Sequence, residues 1–498
     1  MPEGDAAHPS RRSGRLLRRL TAGLVVLVLA ATVATYELDL GTRWFGLVRP
    51  SPVTQPALVL PPPGLSLPQA ERAAPVAAAV APRAVDGAAV RRAVASLVRA
   101  KKLGRHVVVA VAQASDGTMV YRHGSGVVTP ASTLKLLTTV AALDALGPAH
   151  RFTTSVVTGG GGGGSDGDGS SSGPVVLVGG GDPLLARAPG VPGGYPHRAD
   201  LTTLARSTAE KLRAQGRVRV RLGYDTSLFT GPAVDPHWEP DYVPDDVVSP
   251  ISPLWVDEGR ESPDSADRVA DPALAAAQVF ARALERRGIQ VVGKPVPRVA
   301  ATAEAGRRVL AQVRGARLDQ VVQHVLQVSD NEGAEVLARQ VAVARGMPAS
   351  FSGGAAAVQA QLRTLGVPTG QATTYDGSGL SRQDRLAAAT LLAVIRVASS
   401  SAHPDLSSAV ADLPVAGFSG SLTDRFDTGD PEGLGAVRAK TGTLTGVHGL
   451  AGSTVTADGA LLTFVAIADK VKPVNTLDAR ETIDRLAAAL AGCRCAAP

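Results

Sequence analysis

The 498-residue chain, 45% apolar, is long enough for roughly two to four domains and can bury a large core, but aromatics make up only 3%, so that core must be built mostly from small aliphatic side chains. The formal charge is +7, of which residues 1–19 contribute +3, and no basic stripe interleaved with aromatics stands out, which argues against a nucleic-acid partner. With no HExxH and no paired CxxC, neither a metal nor another cofactor is expected.

Residues 1–19 carry five arginines and read as a cytoplasmic basic segment. Residues 20–36 are uncharged and rich in Leu, Val and Ala, at the short end of the ~17 to 25 residues a spanning helix needs. A positive region before an apolar one is the pattern of a signal peptide or membrane anchor, with the rest of the chain outside the cytoplasm, secreted or anchored in the cell envelope. Residues 37–85, dense in Pro and Ala, read as a semi-extended linker.

A helix is expected over 88–100, then a hairpin over 106–121 turning at Asp116-Gly117. Thr129 is placed to cap the next helix, Pro130 sits at its first position, and Gly147-Pro148 ends it. The glycine run 159–173 reads as a flexible loop. It satisfies GxGxxG and GxSxG by composition alone, without the strand and helix those motifs require. Further on, helical segments flank Ser329-Asp330-Asn331, and the loop TYDGSGLSR, 374–382, precedes an Ala/Leu-rich helix. The stretch AVRAKTGTLT, 436–445, and two strand-like runs joined at Asp458-Gly459 suggest an antiparallel sheet, with a helix over 476–491 packed on it. Cys493 and Cys495, the only cysteines, are a tail feature rather than a disulfide framework.

The helix after Thr129 has only Lys135 and Asp144 as ionisable residues over 131–146, so it should be buried and its lysine needs an explanation. Ser132 and Lys135, three apart, face the same way. A desolvated lysine beside a serine can take its proton, whereas the bland alternative is a capping serine and a lysine reaching for solvent. Ser329-Asp330-Asn331 and Lys440-Thr441-Gly442 are the two motifs that accompany SxxK in penicillin-recognising enzymes, in the same order. Of 51 basic residues only 8 are lysine, and the chain holds 2 asparagines. Two of those lysines and one asparagine stand at motif positions, where arginine could not lose a proton.

Together with LVGGGDP (177–183), DTSLF (225–229), VSPISPLWVD (248–257) and DGSGLSR (376–382), these motifs give a chain that resembles the D-alanyl-D-alanine carboxypeptidase/endopeptidase family, the low-molecular-mass class C penicillin-binding proteins. The resemblance implies an α+β, β-lactamase/transpeptidase-like fold: an antiparallel sheet flanked by helices plus a helical subdomain, over 86–154 and 311–498, with inserted domains over 155–310. It implies Ser132 as nucleophile, Lys135 as its base, and Ser329, Asn331 and Lys440 as the other catalytic residues. Thr441, Gly442 and Thr443 would bind substrate, Lys440 offering charge to a carboxylate, Gly442 clearing the strand edge, and the N–H groups of Ser132 and Thr443 forming the oxyanion hole. Leu444 departs from the pattern at the pocket for the substrate side chain. The implied partners are peptidoglycan stem peptides and, as inhibitors, β-lactams. A serine β-lactamase is a rival, opposed by the 197 residues between Ser132 and Ser329 and by the lack of any Asn between 331 and 475 to complete a deacylating ExxLN segment. A catalytically silent peptidoglycan-binding homologue is another, opposed by the intact motifs.

Overall fold

The computed structural model describes residues 83–158, 174–191, 193–299, 307–427 and 431–497. The basic segment, the apolar segment 20–36, the linker up to residue 82 and the glycine run 159–173 lie outside these. Among the described residues no helix is long and apolar enough to cross a membrane.

Helix α1 (Gly87–Val94) is capped by Asp86, which accepts from the Ala88 N–H at 2.8 Å. The expected helix to residue 100 breaks into 3-10 turns at Leu97–Arg99 and Lys101–Leu103, which keep Val98 and Leu103 on the same core as Val90 and Val94. Strands β1 (Val107–Gln113) and β2 (Met119–His123) form the expected hairpin, with Gly117 at φ +78° in its turn. A short β3 (Val127–Val128) leads to a 3-10 turn, Ala131–Leu134, and helix α2 (Lys135–Leu146), stopped by Gly147 at φ 82°.

The Thr129 cap is a correction. The Thr129 hydroxyl accepts from Arg385 and its N–H donates to Asp469 Oδ2, while Ala131, at φ 47°, breaks the helical geometry. Helix α2 therefore starts a turn later, at Lys135.

The insert contains β4 (Arg151–Thr158), β5 (Val175–Val178), α3 (Leu201–Ala214), β6 (Arg219–Val220), β7 (Leu222–Asp225), α4 (Pro272–Glu285), β8 (Gln290–Val291), β9 (Val296–Pro297) and β10 (Arg308–Arg317). Its five-stranded sheet runs β10-β4-β5-β7-β9. Strand β4, which starts at Arg151, pairs antiparallel with β10, which ends at Arg317, so the two ends of this segment lie side by side in one ladder. Leu204, Leu212, Phe280 and Leu284 of α3 and α4 pack with Val175 and Leu177 in its core.

The body resumes with α5 (Leu318–Gln327), α6 (Asn331–Ala344), α7 (Phe351–Thr364), β11 (Leu386–Ala387), α8 (Ala388–Ala398) and α9 (Ser408–Ala411), then β12 (Val437–Leu444), β13 (Val447–Val455), β14 (Leu461–Ala468) and α10 (Thr476–Ala491). The main sheet, β12-β13-β14-β1-β2, is antiparallel throughout, so the N-terminal hairpin closes on the C-terminal strands. Its period of two is plain in β1. Val108, Ala110 and Ala112 face the core of α2 and the helical subdomain, whereas Val109 and Val111 face that of α1 and α10. Helix α2, apolar on all sides, is buried from Lys135 through Leu143. The chain end pairs with the start of the body through Val85 and Ala496, and Cys493 and Cys495 form a disulfide beside this pairing.

Candidate active site

Three local structures meet where the sheet, the helical layer and the insert touch. The first is the 3-10 turn before α2, which places Ser132 Oγ 2.9 Å from Lys135 Nζ. Lys135 is fully buried and also donates to Asn331 Oδ1 at 2.8 Å and to Ser378 O at 2.8 Å. Burial pulls its pKa from 10.5 down to about 8, against the charges of Asp330, Asp376, Glu335 and Glu332, which raise it. A lysine so placed is readily neutral, and a neutral amine can accept the proton of the Ser132 hydroxyl.

The second is the turn between α5 and α6. Ser329 sits at φ 60°, a region costly for a side chain with a Cβ, while Asp330 caps α6 by accepting from the Gly333 N–H. Asn331 opens that helix, its Oδ1 on Lys135 and its Nδ2 3.4 Å from Val247 O of the insert. The third is β12. Lys440 lies deeper than a strand lysine facing a substrate should: it is fully buried and donates to Ser329 Oγ at 2.9 Å, Thr441 O at 3.0 Å and Thr441 Oγ1 at 3.3 Å. Burial, and then the charge of Lys135, hold its pKa well below the ordinary lysine value. Lys440 thus positions two hydroxyls rather than presenting a free ammonium.

The structure also gives Gly442 a requirement other than a clear strand edge. A Cβ there would lie 2.8 Å from Pro130 O and 3.1 Å from Thr133 Cγ2, so the glycine lets β12 lie directly against the Ser132 turn. Gly442→Ala is expected to lose about 1–3 kcal/mol of stability through overpacking, which thermal denaturation would show.

This arrangement of the three motifs is accompanied by a match of residues 90–267 and 261–490 to the D-Ala-D-Ala carboxypeptidase 3 (S13) family. The chain belongs to that family. It is similar to carboxypeptidase DacB of Mycolicibacterium smegmatis, 35% identical over 393 residues, covering 78% of this chain and 80% of that one. A carboxypeptidase of Mycobacterium tuberculosis is 36% identical over 371 residues, covering 74% of this chain and 76% of its own. In fold the chain resembles penicillin-binding protein 4 of Haemophilus influenzae, with a TM-score of 0.63 at 23% identity over 79% of this chain and 97% of that one. It is a serine-type D-Ala-D-Ala carboxypeptidase of the expected α+β class.

Around the motifs this carboxypeptidase has a buried polar scaffold that the sequence did not single out. The Glu335 carboxylate accepts from the N–H groups of Gly377 and Ser378, and thereby holds the carbonyl that Lys135 uses. Asp376 accepts from the N–H of Gly379 at 2.8 Å, the N–H of Ser381 at 2.7 Å and Trp238 Nε1 at 2.8 Å. Burial and the charge of Asp376 push the Glu335 carboxyl up to about 8. The available signal was Glu335 itself, four residues after Asn331 and so on the same helix face.

Glu258, His324 and Asp330 bring one ligand-type atom each within 4.8 Å of one another. Glu258 already pairs with Arg260 at 3.3 Å and Arg198 at 3.8 Å, so the chain's own cations balance it. The group acts as a buried ion network joining the insert to the Ser329 turn.

Proposed function

We propose that this carboxypeptidase works outside the cytoplasm, secreted or held at the membrane by residues 20–36, on D-Ala-D-Ala stem peptides of peptidoglycan, through an acyl-enzyme on Ser132. The observation that carries the mechanism is the contact between Ser132 Oγ and the buried, pKa-lowered Lys135. Neutral Lys135 takes the hydroxyl proton as Ser132 Oγ bonds to the carbonyl carbon of the penultimate D-Ala. The oxyanion is received by the N–H groups of Ser132 and Thr443. On collapse the C–N bond breaks, and the leaving amine takes a proton through Ser329, which Lys440 holds in place. Asn331 orients Lys135 and binds the substrate amide. Free D-Ala departs, and water repeats the steps in reverse roles to release the shortened peptide. Endopeptidase cleavage of a cross-link would use the same acyl step, and a β-lactam would stop at it.

Incubation with a stem pentapeptide tests the reading. The wild-type protein is expected to release D-Ala, and Ser132→Ala to release none above background. Release by Ser132→Ala at the wild-type rate would remove Ser132 from the mechanism.

A further inference from the structure

Four of the chain's 8 lysines, Lys101, Lys102, Lys470 and Lys472, stand away from the motifs, are exposed and meet at one place on the surface. Gly104, at φ +81°, brings the two pairs together: a Cβ there would collide with Lys470 O, so the 3-10 turn Lys101–Leu103 lies directly against the chain that follows β14. Beneath them Leu103, Val471 and Ala479 share one core. Residues Pro473–Asn475 then form a 3-10 turn before α10, and here Val474, 84% exposed, and Leu477, 67% exposed, stand in solvent. Val474 is the most exposed large apolar side chain among the described residues. Three residues apart in consecutive helical turns, the two face the same way. Negative charge close by is already taken. Asp478 is held by Lys102 Nζ at 2.7 Å, and the buried Asp469 carboxylate is held by His106 and the Thr129 N–H, which leaves Lys101, Lys470 and Lys472 outside any ion pair among the described residues.

We propose that this face, lysines around an apolar tip, docks on the surface of a bilayer that contains anionic lipid. Opposite charge draws the lysines to the headgroups, and Val474 and Leu477, which join no core, bury themselves at the headgroup boundary. A soluble polyanion would use the charges and leave the apolar pair in water. The proposal rests on the reading above that the protein works outside the cytoplasm beside the membrane, and it does not depend on the acyl step. Residues 37–82 provide enough chain for a body tethered through 20–36: the described chain begins near the far end of α10, where Val85 bridges Ala496, and the 16 residues of α10 span only ~24 Å at ~1.5 Å each. Docking also bears on the site. Val471 N–H donates to Gly446 O at 3.0 Å, so the patch adjoins the turn between β12 and β13, and a docked body holds that end of β12 beside the bilayer, among the stem peptides nearest the membrane.

The test uses the full chain with one added thiol, Val474→Cys, carrying a nitrobenzoxadiazole fluorophore; the native cysteines are paired with each other. The label is expected to shift to the blue with vesicles of phosphatidylcholine and phosphatidylglycerol and not with phosphatidylcholine alone. The same label at Glu210→Cys, on the exposed side of α3 in the insert, should stay as it is in water. Lys470→Gln/Lys472→Gln should lower the ratio of docked to free body roughly 30-fold, about 5-fold for each lysine near an anionic surface, with release of D-Ala from a soluble pentapeptide unchanged. Equal shifts in the two lipids, a shift at both label positions, or no effect of the double substitution overturns the proposal. So does a label that never shifts with vesicles and responds only to soluble polyphosphate, which would give the patch to a polyanion. Cell fractionation reads the location separately: a chain found only in the cytoplasm overturns the reading on which the proposal rests, whatever the vesicles show.

Discussion

Lys135→Met is expected to lower the acylation rate about 10²- to 10⁴-fold while leaving the protein as stable as before or more so. In the proposed mechanism the amine is the proton acceptor for Ser132, and its other partners are an amide oxygen and a backbone carbonyl, neither of them a base. Methionine fills nearly the same volume and removes the penalty of burying an ammonium, at the expense of two oxygen acceptors left without their donor. A purely structural lysine would give the opposite pattern, with lost stability and a retained rate.

The same group sets the pH dependence. Only neutral Lys135 accepts a proton, so the acylation rate should rise about tenfold per pH unit up to about 8 and then level off. In the unfolded chain the lysine titrates at its ordinary value of 10.5. Between about 8 and 10.5 the unfolded state therefore binds more protons than the folded one, and this group makes stability rise with pH, by roughly 3 kcal/mol across the window. Lys135→Met should lose both dependences. Stopped-flow acylation and denaturant unfolding over this pH range measure them.

Asp376→Ala should be the most destabilising single change near the site, on the order of 3–5 kcal/mol, because three buried donors lose their acceptor at about 1–3 kcal/mol each. Those donors are the Gly379 and Ser381 N–H groups and the Trp238 indole N–H. Relief of Asp384, whose pKa is held well above the carboxylate range first by burial and then by the charge of Asp376, offsets part of the loss. The damage should reach the chemistry as well, since Gly379 packs on Ala131 and Ser378 O binds Lys135. Urea unfolding combined with acylation kinetics would detect both effects. Unaltered stability would mean that Asp376 does not hold this loop.

The three motifs were legible because each concentrates its chemistry in three or four adjacent residues. Helix α2, the hairpin at Asp116-Gly117 and the helix Thr476–Ala491 were legible because local pattern and burial agree there. What escaped was non-local. Trp238 meets Asp376 across 138 residues, and Glu335 meets Ser378 across 43, so no window of sequence contains either pair. The space that Gly442 leaves empty is defined by Pro130, more than 300 residues earlier in the chain. The Thr129 cap failed for a local reason that tertiary structure imposes: Asp469 and Arg385 take its polar groups, and Ala131 is held at positive φ beneath Gly379. The ladder between β4 and β10 is likewise non-local, since the two strands are distant in sequence.

The central claim is that Ser132 becomes acylated. Peptide mapping by mass spectrometry after brief exposure of the purified protein to benzylpenicillin tests it most directly. One penicilloyl group on the peptide containing Ser132, absent from Ser132→Ala, is the predicted result. A stable adduct on another residue, or undiminished labelling of Ser132→Ala, would contradict it.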